Sequence, residues 1–155
     1  MKKIVFSLVL IFLSASLWPQ PRPVKLSSTV IIDTDCGFDD MRAISLLLAR
    51  PEITVKAILT SDGSLTAKEG AEKVVSLLNE FDRCNIPVVC GDTKIKVNPA
   101  WRPFCSSVSW GGQSDCQKTD ISAKDYLFKT LKSENERISL VCLGPMTNIF
   151  ETIKK

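Results

Sequence analysis

The chain has 155 residues, a length that suits one domain. Its 45% apolar and 24% charged residues are those of a folded globular protein, which excludes a disordered or collagen-like chain. Lys+Arg number 20 against 17 Asp+Glu; setting aside Lys2 and Lys3, which belong to an export signal, leaves 18 against 17, a net charge of +1. A near-neutral body offers no electrostatic attraction for nucleic acid or for an anionic membrane, so neither is an expected partner.

Lys2 and Lys3 precede an apolar run from Ile4 to Leu13, then the small residues Ser14, Ala15 and Ser16 and the proline-rich stretch Pro19 to Pro23. This is the order of a secretory signal peptide, assigned here to residues 1–20. A membrane anchor needs about 20 apolar residues, more than this run supplies, so an exported protein without a stable anchor is expected. Export permits disulfides. Of Cys36, Cys84, Cys90, Cys105, Cys116 and Cys142, no two form a C-x-x-C pair, which argues against a zinc ribbon or a thioredoxin-like site. Cys90 and Cys142 end apolar runs and read as small core residues. Cys105 and Cys116 share a loop and are candidates for pairing, which spacing alone leaves open.

The domain is expected over residues 28–155. Thr29 to Ile32 is β-branched and uninterrupted, the pattern of a strand buried on both faces. Met41, Ile44, Leu47 and Leu48 recur at helical spacing between Asp39 and Ala49, and Arg50-Pro51 ends that helix. Val55 to Leu59 predicts a second strand, Ser61-Asp62-Gly63 a turn, and Thr66 to Phe81 an amphipathic helix. Pro87 to Cys90 predicts a third strand. Gly91 to Asp120 has little periodicity and reads as a long functional loop or lid, in which Trp101 and Trp110 are better explained by packing than by a ligand. Ser122 to Leu131 resumes as a helix, Ile138 to Leu143 as a strand, and Gly144-Pro145 turns the chain into a last helix. This alternation predicts an α/β fold, a Rossmann-like parallel sheet flanked by helices, with ligands bound beyond the carboxyl ends of the strands.

The segment Asp33-Thr34-Asp35-Cys36-Gly37-Phe38-Asp39-Asp40 places four carboxylates in eight residues directly after the first strand. Such crowding calls for a cation or for retained protons. Oxygen donors favour Ca²⁺ or Mg²⁺, and the chain has no histidine to favour a softer metal. Gly37 is expected to let the turn fold Asp40 back toward Asp35. Helix capping accounts for Asp39 or Asp40 singly, but not for Asp33 and Asp35 on the strand side.

This octapeptide resembles the D-x-D-P-G-x-D-D signature of the inosine/uridine-preferring nucleoside hydrolase family. Pro51 to Thr60 is similar to the family's second strand and its entry, and Leu143-Gly144-Pro145-Met146-Thr147-Asn148 to its G-P-L-T-N turn. The resemblance implies a nucleoside hydrolase-like fold and Ca²⁺-dependent hydrolysis of the N-glycosidic bond of a ribonucleoside or related small ribosyl compound. It implies Asp35 as Ca²⁺ ligand and general base, Asp40 as Ca²⁺ ligand, Leu143 as the donor of a backbone carbonyl to Ca²⁺, Asp39 as the grip on ribose hydroxyls, and Asp33 as a support behind them. Cys36 replaces the motif proline, an exchange expected to leave the turn intact. The family's ribose-binding asparagine falls in the Ser61-Asp62-Gly63 region. Family members run to roughly twice this length, so the chain reads as the N-terminal portion of such a domain, C-terminally truncated, with self-association left open. Two alternatives stand beside this reading: a haloacid-dehalogenase-like phosphatase with Asp33 as nucleophile, and a non-catalytic ribosyl-binding remnant.

Overall fold

The computed structural model describes residues 29–92 and 98–154; the expected signal peptide lies outside them. Five parallel strands, β1 (Thr29–Thr34), β2 (Thr54–Thr60), β3 (Val88–Cys90), β4 (Lys118–Thr119) and β5 (Ser139–Cys142), form one sheet in the order β4-β3-β2-β1-β5. Helices α1 (Phe38–Leu48), α2 (Ala67–Glu80), α3 (Arg102–Ser107), α4 (Ala123–Ser133) and α5 (Thr147–Ile153) complete the described chain. The Rossmann-like expectation holds, as do four of the five strands and four of the five helices. The other two, α3 and β4, lie in the stretch expected to be loop throughout. Six and two residues are too short to show a period.

The alternation of β1 explains the three layers. Val30 and Ile32 face one side and pack with Met41, Ile44 and Leu48 of α1 and Val74 and Leu78 of α2. Ile31 faces the other side, with Ala123 and Leu127 of α4 and Ile149 of α5. An irregularity in the β1–β2 register, where Val30 pairs with Val55 but Ile31 with Ala57, inserts Lys56 as an extra residue. Val55 and Ile58 consequently share a face although they are three apart.

Side-chain caps start two helices. Thr66 accepts from the Glu69 amide at α2, and Ser122 accepts from the Asp125 amide at α4. At α1 the cap is Gly37, with no side-chain bond, so Asp39 and Asp40 belong to its first turn and neither is the cap. The pairing left open between Cys105 and Cys116 does not form. Cys116 is bonded to Cys84, which ties the segment before β4 to the turn after α2, while Cys105 is a buried free thiol within α3. The pairing joins positions that only the packing of the loop on α2 brings together.

From β1 the sheet grows through β2, β3 and β4 in one direction, and β5 returns to the opposite side of β1. The crevice for a ligand therefore opens at the carboxyl ends of β1 and β5.

Candidate active site

The acid cluster stands at that switch point. Thr34 ends β1 and organises the turn after it: its Oγ1 donates to Asp40 Oδ2 at 2.7 Å and accepts from the Cys36 amide at 2.9 Å. The loop thus closes on itself, and Asp40 is drawn beside Asp35, close enough for the two carboxyls to share a hydrogen bond. The left-handed residue of this turn is Cys36, with φ 58°, and not Gly37. A proline, held near φ −65°, cannot take that conformation and would lack the amide that bonds Thr34. The cysteine at the motif's proline position therefore accompanies a distinct backbone path. Gly37 matters for close approach instead. The point where its Cβ would sit lies 3.0 Å from Asp39 Oδ1, 3.2 Å from Ser64 Oγ and 3.7 Å from Asp35 Oδ1, a small cradle of oxygens.

Asp35 is gripped from three sides. Its Oδ2 accepts from the Ser64 amide at 2.9 Å, and its carbonyl accepts from Leu65 N at 3.0 Å. A methyl on Gly63 would collide with Oδ2, and one on Gly144 would come within 2.6 Å of the Asp35 amide. The Leu143–Gly144 peptide thus packs directly on Asp35, bringing the Leu143 backbone to the cluster; Leu143 N donates to the Asp33 carbonyl. Asp39 is exposed at the rim.

Asp33 is buried against Asn148 of α5. It is 3% exposed, its Oδ1 accepts from Asn148 Nδ2 at 2.8 Å, and its Oδ2 has no hydrogen-bond partner among the described residues. Burial, with Asp35 nearby, pushes its carboxyl up to about 6. Burial, Asp35 and Asp39 push Asp40 up to about 7 against the Thr34 bond. A nucleophilic Asp33 is thereby disfavoured, because its carboxylate is enclosed by α5. Both raised acids mark a cluster short of positive charge. Among the described residues no three acidic, cysteine or histidine side chains converge on one point; the neighbouring carboxylates of Asp35 and Asp40 are oxygen donors of the kind a hard cation takes.

Three contributors escaped the sequence reading. Asn148 bridges Asp33 and the Thr60 carbonyl from α5, and Thr34 bridges the two ends of the turn. Their place within the two motifs was the available signal. Ser64, one residue beyond the turn expected to replace the family's asparagine, reaches the cradle. Asp62 is 2% exposed with neither carboxyl oxygen bonded among the described residues.

The proteins to which this chain is similar carry the name nucleoside hydrolase. A 130-residue stretch is 32% identical to the pyrimidine-specific ribonucleoside hydrolase RihA of Escherichia coli O1:K1 / APEC, covering 77% of this chain and 40% of RihA. The structure superposes on a plant nucleoside hydrolase, the PpNRh1 enzyme, with TM-score 0.69 and 30% identity over 81% of this chain and 42% of that one. At 17% identity the inosine-uridine preferring nucleoside hydrolase of Bacillus anthracis shares the fold, with TM-score 0.71 over 81% of this chain and 44% of that one. The chain spans about 40% of the length of the curated relatives it matches. Residues 30–155 match the family described as inosine-uridine preferring nucleoside hydrolase, so the match begins within β1 and takes in both walls of the crevice, and the chain belongs to that family.

Proposed function

We propose that this chain carries the base and cation-binding part of a Ca²⁺-dependent ribonucleoside hydrolase, which cleaves the N-glycosidic bond. The observation that carries the reading is Asp35 itself. One carboxyl oxygen is held by the Ser64 amide, while the other stands at the cradle shared with Asp39 and Ser64. Ribose hydroxyls fit that cradle as donors to the two carboxylates. Asp35 takes the proton of the attacking water as the C1′–N bond breaks through an oxocarbenium-like transition state. The bonding electrons leave with the nucleobase, which then needs a proton; these 155 residues contain no histidine to give one. Asp35, Asp40 and the Leu143 carbonyl would hold Ca²⁺, which when bound would supply positive charge to neutralise the cluster and ease loss of a proton from the attacking water. Asp33, fixed by Asn148, supports the strand end from behind.

Three donors fall short of the six to eight oxygens Ca²⁺ takes, so weak binding is expected. Calorimetric titration should show Ca²⁺ binding that Asp40→Asn abolishes; tight zinc binding with no response to Ca²⁺ would sink the cation assignment. Release of free base from inosine and uridine is expected to stay below about 1 s⁻¹ for these 155 residues, the low end for enzymes. Faster turnover would show that they hold the whole catalytic set. We further propose that the protein is exported, a reading supported by the Cys84–Cys116 disulfide.

A further inference from the structure

The described part of the long loop between β3 and β4 makes its polar contacts with the site at one place. Arg102, at the start of α3, donates from Nη2 to the Gly63 carbonyl at 2.5 Å and from Nε to the Ser64 carbonyl at 3.3 Å. Its neighbour Trp101 donates from Nε1 to Ser64 Oγ at 3.1 Å. Three bonds from two adjacent residues therefore converge on the Gly63–Ser64 turn. The opposite side of the same turn holds Asp35: the Ser64 amide bonds Oδ2, and Gly63 lies so close that a side chain there would strike the carboxylate. The turn is a two-residue spacer with α3 on one side and Asp35 on the other.

We propose that Arg102 and Trp101 are positioning residues for Asp35, acting through the Gly63–Ser64 turn. The assignment to catalysis rests on Asp35 being the base; the mechanical link does not. Pulling on both carbonyls, the guanidinium orients the peptide planes of the turn and so aims the Ser64 N–H at Oδ2. Arginine suits this because its planar fork serves two acceptors at once, where lysine offers a single mobile point charge. The rest of α3 is anchored independently. Lys73 of α2 donates to the carbonyls of Ser106 and Val108, both at 2.7 Å, and the Phe104 ring lies 5.8 Å from that of Phe38. Loss of Arg102 thus removes the link while leaving the helix seated.

The test reads the link directly, by amide exchange at Ser64 and the carboxyl carbon resonance of Asp35 in the 155-residue chain without added cation. Arg102→Ala should speed Ser64 exchange at least tenfold and shift the Asp35 signal, with the unfolding midpoint nearly unchanged. Arg102→Lys should restore part of the protection, and Trp101→Phe, which keeps a ring but loses the donor, should give a smaller change of the same sign. Lys118→Ala, which removes an exposed pair with Glu72, should change neither signal. Unaltered Ser64 exchange and an unaltered Asp35 resonance in Arg102→Ala would overturn the proposal. Ca²⁺ titration of the same variants separates the two readings. A tenfold weaker affinity in Arg102→Ala joins the link to the cation site, whereas absence of Ca²⁺ binding in the unaltered protein overturns the cation assignment and leaves the exchange result standing.

Discussion

The two walls of the crevice are built to different standards. The wall from β1 and β2 carries Asp35 and Ser64, and β1 itself is buried from Val30 to Thr34 because it has a strand on each side and helices on both faces. The wall from β5 and α5 carries Leu143, Gly144 and Asn148. Its strand pairs only with β1, and its residues alternate between half-buried and exposed. Leu140 is 37% exposed, Met146 56% and Phe150 55%, whereas Ile32 is 0%. Parallel strands normally lie covered on both faces, and β5 is the member of this sheet that departs furthest from that among the apolar strands. The crowded acids stand on the firm wall, and the backbone that packs against Asp35 from the other side comes from the thin one.

The contrast is testable by substitution, and the largest effect is expected at the centre of the firm wall. Ile32→Ala should cost about 4 kcal/mol, the range for a fully buried aliphatic side chain with no room to collapse. Urea denaturation would measure it, and a loss near 1 kcal/mol would mean that β1 is not the core strand described here.

A second effect arises from the charge the walls enclose. The folded chain keeps a proton on Asp33 up to about pH 6, where an unfolded aspartate gives it up near 3.8. Folding therefore takes up a proton between those values, so this contribution is fully present below the lower one and is lost as pH rises through the upper. The difference corresponds to about 3 kcal/mol as an upper bound, and Asp40, at about 7, extends the window upward. In EDTA the urea midpoint should rise as pH is lowered from 8 to 5, the reverse of ordinary acid denaturation. Asp33→Asn should remove only the part of that rise that lies below about pH 6, leaving the larger part due to Asp40. A midpoint that falls over the same interval would contradict the enclosed acids.

Third, Asn148→Ala should cost about 2 kcal/mol, since it strips Asp33 and the Thr60 carbonyl of a buried donor. This side-chain bond ties the thin wall to the firm one alongside the β1–β5 backbone pairing, and Asp33→Asn combined with Asn148→Ala should cost less than the sum of the two. Strict additivity would show that the bond carries no coupling. The smallest effect belongs to the thin wall alone: Leu140→Ser should change stability by less than about 1 kcal/mol, because much of the side chain is already in water. A loss as large as that of Ile32→Ala would erase the distinction between the walls.

Much of this molecule was legible from residue order. The β-branched run at Thr29 to Ile32, the helical spacing of Met41, Ile44 and Leu48, and the apolar repeats of α2 and α4 are local patterns that burial on one or two faces imposes directly. The acid cluster, its position after the first strand and the family resemblance were legible for the same reason, being contiguous. Tertiary structure alone decided the rest. It set Cys84 rather than Cys105 against Cys116, and placed the left-handed backbone of the turn at Cys36. It buried Asp33 behind Asn148, 115 positions along the chain, and brought Arg102 and Trp101 onto Ser64 across 38 and 37 positions. Those partners are chosen by how strands and helices pack, which no local periodicity encodes; only the fold brings them within hydrogen-bonding distance.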